Sequence, residues 1–338
     1  MAYATIDNPE LYFQTKTYSG SDSDLTVTFD GDEDMQPDLI WLKDRASGDH
    51  LIFDSVRGVN KRLQPNATDA EVDRTSSNDE LKAFNSDGWT LGTWNSNVTG
   101  SGSSNVSWNW KESATAGLDI DSNSGTGSAR TEAHSLSAVP HVIFMKSTND
   151  TTNWAVYHHR NTSAPATDYL RLNDSRATAD DAERWNDTDP TSSVFSMGTD
   201  SETNASGNNY ISYLWSEKQG FSKFGGYTGN GNVDGPFIHL GFRPALFLIK
   251  SSSNAENWEI VDNKRDDSNP VNQVIIVNDS AAETTGGTGN RIYCDFLSNG
   301  VKLRGNASQA NGDGLTFIYM AFAEAPFVNS NGVPCNAR

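Results

Sequence analysis

One seven-residue pattern recurs three times in this chain, and nothing else in the sequence limits the fold as strongly. Pro37-Asp-Leu-Ile-Trp-Leu-Lys43 returns as Pro140-His-Val-Ile-Phe-Met-Lys146 and again as Pro244-Ala-Leu-Phe-Leu-Ile-Lys250, at spacings of 103 and 104 residues. Self-similarity at a fixed period is the signature of repeated structural units. A second element follows in the same order: His50-Leu-Ile-Phe-Asp54, Trp154-Ala-Val-Tyr-His158 and Trp258-Glu-Ile-Val-Asp262. A third shares an apolar start and then Asn with small and acidic residues (Leu63 to Glu71, Leu170 to Asp181, Ile275 to Glu283). A closing apolar element ends each copy, at Val106 to Glu112, Tyr210 to Glu217 and Phe317 to Glu324.

The pattern sets the expected organisation: an N-terminal arm over residues 1–14, repeats over 15–112, 113–217 and 218–324, and a tail over 325–338. Each unit has the size of an ordinary domain, so it need not stack on its neighbours merely to fold. Three tandem sandwiches and three sandwiches packed about a pseudo-threefold axis both satisfy this arrangement.

Within a repeat the apolar runs are short, rich in β-branched and aromatic residues, and separated by turn chemistry. The third repeat reads as strands at Lys223–Tyr227, Pro236–Leu240, Ala245–Lys250, Trp258–Val261, Val274–Val277, Ile292–Leu297, Val301–Arg304 and Leu315–Phe322. Asn-Gly pairs such as Asn230-Gly231 and Asn299-Gly300 supply the positive φ that hairpin turns require. The fold class expected is all-β, a β-sandwich or jelly roll in each repeat of about 105 residues. The run Val106–Trp110 alternates and reads as half-buried. Leu39–Leu42 and Leu246–Ile249 are apolar on both faces and read as central strands, with the closing lysine at the sheet end. Helical turns are expected only over Asp69–Arg74 and Thr178–Arg184.

The charge balance, 25 basic against 44 acidic residues, leaves −19. Clustered Lys and Arg are what a phosphate backbone requires, so no nucleic-acid partner is expected, and anionic membranes are disfavoured for the same reason. No run approaches a membrane span, and residues 1–14 lack the apolar core of a signal peptide. The two cysteines, Cys294 and Cys335, make no disulfide framework.

Candidate chemistry is sparse. Asp30-Gly-Asp-Glu-Asp34 spaces its carboxylates like a calcium loop, but the twelfth position, where an EF-hand needs glutamate, is Trp41. A loose Ca2+ site with Asp22 and Asp24 is the weaker reading, a solvated acidic hairpin the default, and no cofactor is expected. His158 and His159 are adjacent, so on a strand they face opposite ways and do not share a metal. His141 and His239 read as structural. No zinc spacing, nucleophile elbow, HExxH or P-loop is present. A catalytic site confined to one repeat should break the threefold pattern, and the sequence shows only loop variation, so no enzyme is expected. Trp89, Trp94 and Trp185 lie near turns beside Asn and Asp, where exposed rings suit sugar binding. Leu11, Tyr12 and Phe13 give the arm an apolar tip suited to docking on a partner.

Several segments resemble a known group of proteins: Tyr12-Phe-Gln-Thr-Lys-Thr-Tyr18, Met35-Gln-Pro-Asp-Leu-Ile-Trp41, Phe53-Asp-Ser-Val-Arg-Gly58, Ala83-Phe-Asn-Ser-Asp-Gly88, Gly220-Phe-Ser-Lys-Phe224 and Met320-Ala-Phe-Ala-Glu-Ala-Pro-Phe327. Together they resemble an uncharacterised family of triplicated β-repeat proteins, frequent in tailed phages of marine bacteria and cyanobacteria. Its members are usually labelled tail-fibre-like or virion structural proteins. The resemblance covers almost the whole chain and implies a location in the virus particle, with other virion proteins as partners. It brings no agreed catalytic or binding residues. The expected function is a non-enzymatic fibre or tip protein that recognises host-surface glycan, in which repeated weak sites gain avidity. A head or tail decoration or adaptor that binds only virion proteins is one alternative, and a polysaccharide depolymerase is another. A homotrimer remains open, although internal triplication imitates one within a single chain.

Overall fold

A computed structural model describes residues 4–93 and 96–336. Among the described residues its regular structure is almost entirely strand, with three single helical turns and one short 3-10 turn. Three larger antiparallel sheets dominate, all built to one strand order. In the first, Phe13–Ser19 lies at the edge, followed by Ser104–Trp110, Leu39–Asp44 and Leu51–Asp54. The second begins Leu118–Ser124, Asn209–Trp215, Val142–Ser147, Ala155–His158. The third begins Ser222–Thr228, Thr316–Pro326, Phe242–Ser251, Glu259–Asp262. In each case the first strand of the segment pairs with the last, and the last lies beside the strand carrying the recurrent pattern.

Alternation along that strand divides its side chains between two cores. Leu39 and Trp41, Val142 and Phe144, and Leu246 and Leu248 all enter one shared cluster that gathers residues from the three sheets. The intervening side chains point the other way, each into a core of its own. Ile40 and Leu42 meet Trp89 and Leu91 of a smaller sheet. Ile143 and Met145 meet Phe195 and Met197, and Phe247 and Ile249 meet Ile238 and Val301. The molecule is thus three sandwiches whose larger sheets face one another across a common interior. A period of two makes this possible, because a strand apolar on every residue has two faces to bury.

The eight strands expected in the third repeat are present, with small shifts at their ends. Other expectations need correction. Val106–Trp110 is buried on both faces: Val106, Trp108 and Trp110 enter the shared core. Ser107 and Asn109 are also fully buried. The Asn109 amide donates to Gln14 O and Ser107 Oγ, and its Oδ1 accepts the Trp89 indole N–H. Polar strand residues are therefore inside because their hydrogen bonds are met there. Over 69–74 there is no helix but the short strand Val72–Asp73 paired with Lys61–Arg62. Over 178–184 a single helical turn, Ala182–Trp185, forms behind an Asp181 cap.

The recurrent lysines do not end at solvent. Lys43, Lys146 and Lys250 are fully buried. Each ammonium donates to the backbone oxygen of the following residue, Asp44, Ser147 and Ser251. Lys146 adds Asp150 O and Thr152 Oγ1, and Lys250 adds Asn254 O. Each lysine thereby ties down the loop that follows its strand.

The arm is not free to dock elsewhere. Phe13 is 2 % exposed. Its ring stacks 5.2 Å from Phe322 and lies 5.1 Å from Trp110. Tyr12 meets Phe221 edge-on, and Ala4, Ile6 and Pro9 are buried. Thr5 N donates to Gln219 O, and Asp7 accepts from Ser330 N. The segment straps the first sandwich to the third, and of the three tip residues only Leu11 is exposed.

Candidate functional site

Closing three sheets around one interior creates three seams, and polar side chains at corresponding positions cross each of them. His50, Trp154 and Trp258 occupy the first position of the second recurrent element. His50 Nε2 meets Ile276 O at 2.9 Å, Trp154 Nε1 donates to Gln64 O at 3.0 Å, and Trp258 Nε1 donates to Arg171 O at 2.8 Å. The first sandwich thus holds the third, the second the first, and the third the second. The fifth position of the same element crosses the seams the other way. Asp54 accepts the Tyr213 hydroxyl at 2.7 Å, Asp262 accepts the Trp108 indole N–H at 3.0 Å, and His158 Nε2 meets Tyr319 O at 3.2 Å.

That last pair differs in kind from the other two. The strand residue corresponding to Trp108 and Tyr213 is Met320, which carries no donor. An aspartate opposite it would be a buried charge with a partner missing, which is strongly unfavourable. A neutral histidine donating to a backbone oxygen fits. Arg160 N donates to His158 Nδ1, which leaves the ring proton on Nε2 facing Tyr319 O. Burial and the neighbouring His159 hold the His158 pKa down to about 3.

Three residues further on the pattern breaks again. Arg57 and Arg265 fill two of the seams. Arg57 Nε reaches Asp54 at 2.5 Å and its Nη1 reaches Glu71 at 3.0 Å. Arg265 does the same with Asp262 at 2.7 Å and Glu283 at 2.8 Å. The third such position holds Asn161. Its Oδ1 accepts the Thr178 hydroxyl, yet its Nδ2 has no partner although the residue is 5 % exposed. A buried donor left without an acceptor costs about 1–3 kcal/mol.

Where the arginine is missing, a cleft of about 830 Å3 opens between the turn His159–Ser163 of the second sandwich and the edge strand Ser222–Thr228 of the third. Two glycines on that strand shape its wall. A Cβ at Gly225 would collide with the Tyr319 hydroxyl, and one at Gly226 would lie 3.5 Å from Arg160 Cβ. The corresponding edge positions of the first sheet are Lys16 and Thr17. A second depression of about 490 Å3 shares Glu217 and Lys223 with the first and runs toward His239 and Phe327. Tyr227, stacked on Phe317 at 4.9 Å, flanks the first depression, and Phe327 is exposed at the second.

The groove is donor-rich. His159 Nε2 is bound to Phe224 O at 2.7 Å, and Glu217 Oε1 accepts Phe224 N at 2.8 Å. Arg160 and Lys223 line it, and neither has an ion pair among the described residues. His141, His158 and His159 cluster behind it, with ring centroids 4.5 Å apart for His141 and His159 and 5.5 Å for the adjacent pair. The expectation that His158 and His159 face opposite ways fails because the strand ends at His158 and the chain turns. Burial, foremost, lowers the pKa of all three, His141 to about 4, and among the described residues no group of three or more His, Cys, Asp or Glu is placed to hold a metal ion.

The residues expected from sequence to bind ligand are elsewhere. Trp89 is fully buried, edge-on to Tyr18, and Trp185 is 2 % exposed against Tyr157. Both complete the outer cores because a large ring beside a turn caps a sandwich as readily as it binds sugar. Trp94 lies outside the described residues. Within the acidic set proposed for calcium, Asp30 pairs with Lys264 at 3.3 Å and Lys16 at 3.5 Å, and Asp24 with Lys82 at 2.6 Å. The expectation of loop variation alone missed the change at Asn161; extending the second element by three residues exposes it as Arg, Asn, Arg.

The chain belongs to the family described as a domain of unknown function (DUF7483), whose model matches residues 8–326. No curated protein matches it.

Proposed function

We propose that this protein is a non-catalytic structural and binding protein of a tailed-virus particle, of the fibre or tip type, and that its groove along the edge strand Ser222–Thr228 recognises glycan on the host surface. The virion setting rests on the resemblance of the sequence segments given above. The binding reading is carried by one observation: at the one seam where the Asp–Arg pair is replaced, a large groove lies beside a buried amide donor with nothing to bind. Rings at its flanks suit the C–H faces of sugars, and hydroxyls and amides suit their hydroxyls. Among the described residues Glu217 is the one carboxylate lining the two depressions, whereas most glycosidases use a pair, which favours binding over depolymerisation.

The test is adsorption of purified, fluorescently labelled protein to host cells in competition with intact virions. Saturable binding that blocks virion adsorption, without release of reducing sugar, is the expected result. Absence of binding by the folded protein would favour a decoration or adaptor role, and release of reducing sugar would favour a depolymerase.

A further inference from the structure

We infer that the groove takes an anionic saccharide, a sugar bearing a carboxylate or sulfate, with its acidic group between Arg160 and Lys223 and a ring oxygen or hydroxyl on Asn161 Nδ2. The inference rests on the proposed glycan reading and specifies the chemistry of that site.

The chain carries −19, and its cations are largely consumed by neighbouring acids. Among the described residues outside the interior, Lys111, Arg160, Lys218 and Lys223 are the Lys and Arg side chains without an ion pair. Two of these four line the groove, while Glu217 is the one acid there and already accepts Phe224 N. In so acidic a molecule, two cations against one carboxylate make a local excess of positive charge that the overall field opposes. A neutral glycan has no use for it, and a polyanion would be repelled by the rest of the surface. Arg160 adds a planar fork suited to two oxygens of a carboxylate or sulfate. Asn161 Nδ2 supplies a fixed donor beside it, and the shared walls at Glu217 and Lys223 give the elongated shape that an oligosaccharide needs.

The experiment titrates the full chain, by calorimetry, with a short oligoglucan carrying a single uronate, one carrying a single sulfate, and the neutral oligoglucan of equal length. Binding of an acidic oligomer at least about tenfold tighter than the neutral one is expected, weakening as salt rises. Arg160→Ala and Lys223→Ala should each lose about tenfold or more, the scale of a charge-assisted hydrogen bond. Asn161→Asp, which replaces the donor by an acceptor, should weaken the acidic ligands and leave any neutral one less affected. Lys82→Ala, at a cation of the first sandwich paired with Asp24 and outside the groove, should change nothing. The relative affinities of uronate and sulfate identify which acid is taken. Equal affinity for the neutral oligomer, or unchanged affinity in both alanine variants, overturns the anionic assignment while leaving glycan binding in place. If no oligomer binds, the assignment fails for all three classes, and saturable adsorption of the same protein to host cells then decides separately whether the glycan reading survives.

Discussion

Trp108 of the first sandwich donates its indole N–H to the Asp262 carboxylate of the third, at 3.0 Å and across 154 residues of sequence. Asp262 is fully buried and also receives Arg265 Nε at 2.7 Å and the backbone N–H groups of Lys264 and Arg265. A carboxylate taken out of water is tolerated only when its lone pairs are filled. The same logic explains why Asp54 sits opposite Tyr213, and why the seam with Met320 has a histidine in place of an acid.

Removing one side of that relationship should be costly. Asp262→Ala leaves the buried Arg265 with Glu283 as its remaining carboxylate partner and should destabilise by about 3–5 kcal/mol. Trp108→Phe removes the indole donor and part of the ring volume but leaves the Asp262–Arg265 pair, and should cost about 1–3 kcal/mol. Urea unfolding measures both, and a Trp108→Phe chain as damaged as Asp262→Ala would show that packing and not the buried charge controls the seam.

The buried lysines predict alkaline behaviour. Burial lowers the pKa of Lys43, Lys146 and Lys250 from 10.5 to about 8. Above pH 8 the unfolded chain still holds protons that the native state has shed, so stability rises with pH there. Near pH 9 unfolded-state ionisation of Cys294, whose folded pKa burial raises, begins to oppose the rise, and toward pH 10 that of tyrosines such as Tyr213 and Tyr227, likewise raised by burial, adds to the opposition. Lys146→Met should flatten the rise in urea midpoint between pH 8 and 9. An unchanged slope would mean that the carbonyl oxygens keep the ammonium charged.

The buried histidines predict the opposite edge. Burial, foremost, lowers His50 and His158 from 6.5 to about 3. Below pH 6.5 the unfolded chain takes up protons that the native state refuses, so stability falls as pH drops toward 3. Each histidine should remove about 2 kcal/mol between pH 6.5 and 5. Thermal melts of the parent and His50→Gln at pH 7 and pH 5 check this, with the smaller acid shift expected in the variant.

Trp89→Ala and Trp185→Ala should each lower stability by about 3–5 kcal/mol, as large-to-small core substitutions do, and should leave glycan affinity per folded molecule unchanged. Loss of binding without loss of stability would restore them to a ligand site.

Much of this was legible from residues alone. The recurrence of Pro37 to Lys43 located the central strand of each larger sheet, and alternation divided Leu39 and Trp41 from Ile40 and Leu42. What the sequence hid were partnerships between distant positions. A turn-side tryptophan such as Trp89 looks exposed until Asn109 is seen to receive its N–H. A lysine after an apolar run looks like a strand end until backbone oxygens are seen to gather around Lys146. The site was harder still. It is defined by what is missing, an arginine at Asn161 and a donor at Met320, and an absence has no motif. Its signal lay in comparing the repeats with one another at single positions.

The central claim is that binding belongs to the one seam left unfilled. Copying the first seam into it, by His158→Asp, Asn161→Arg and Met320→Tyr together, reproduces the set Asp54, Arg57 and Tyr213 and should close the groove. The most direct measurement is a glycan array probed with the parent and with this triple variant, each checked by thermal melting. The account predicts that the parent binds acidic glycans and that a variant melting where the parent does binds none. Retention of the parent's glycans by the folded triple variant would contradict it.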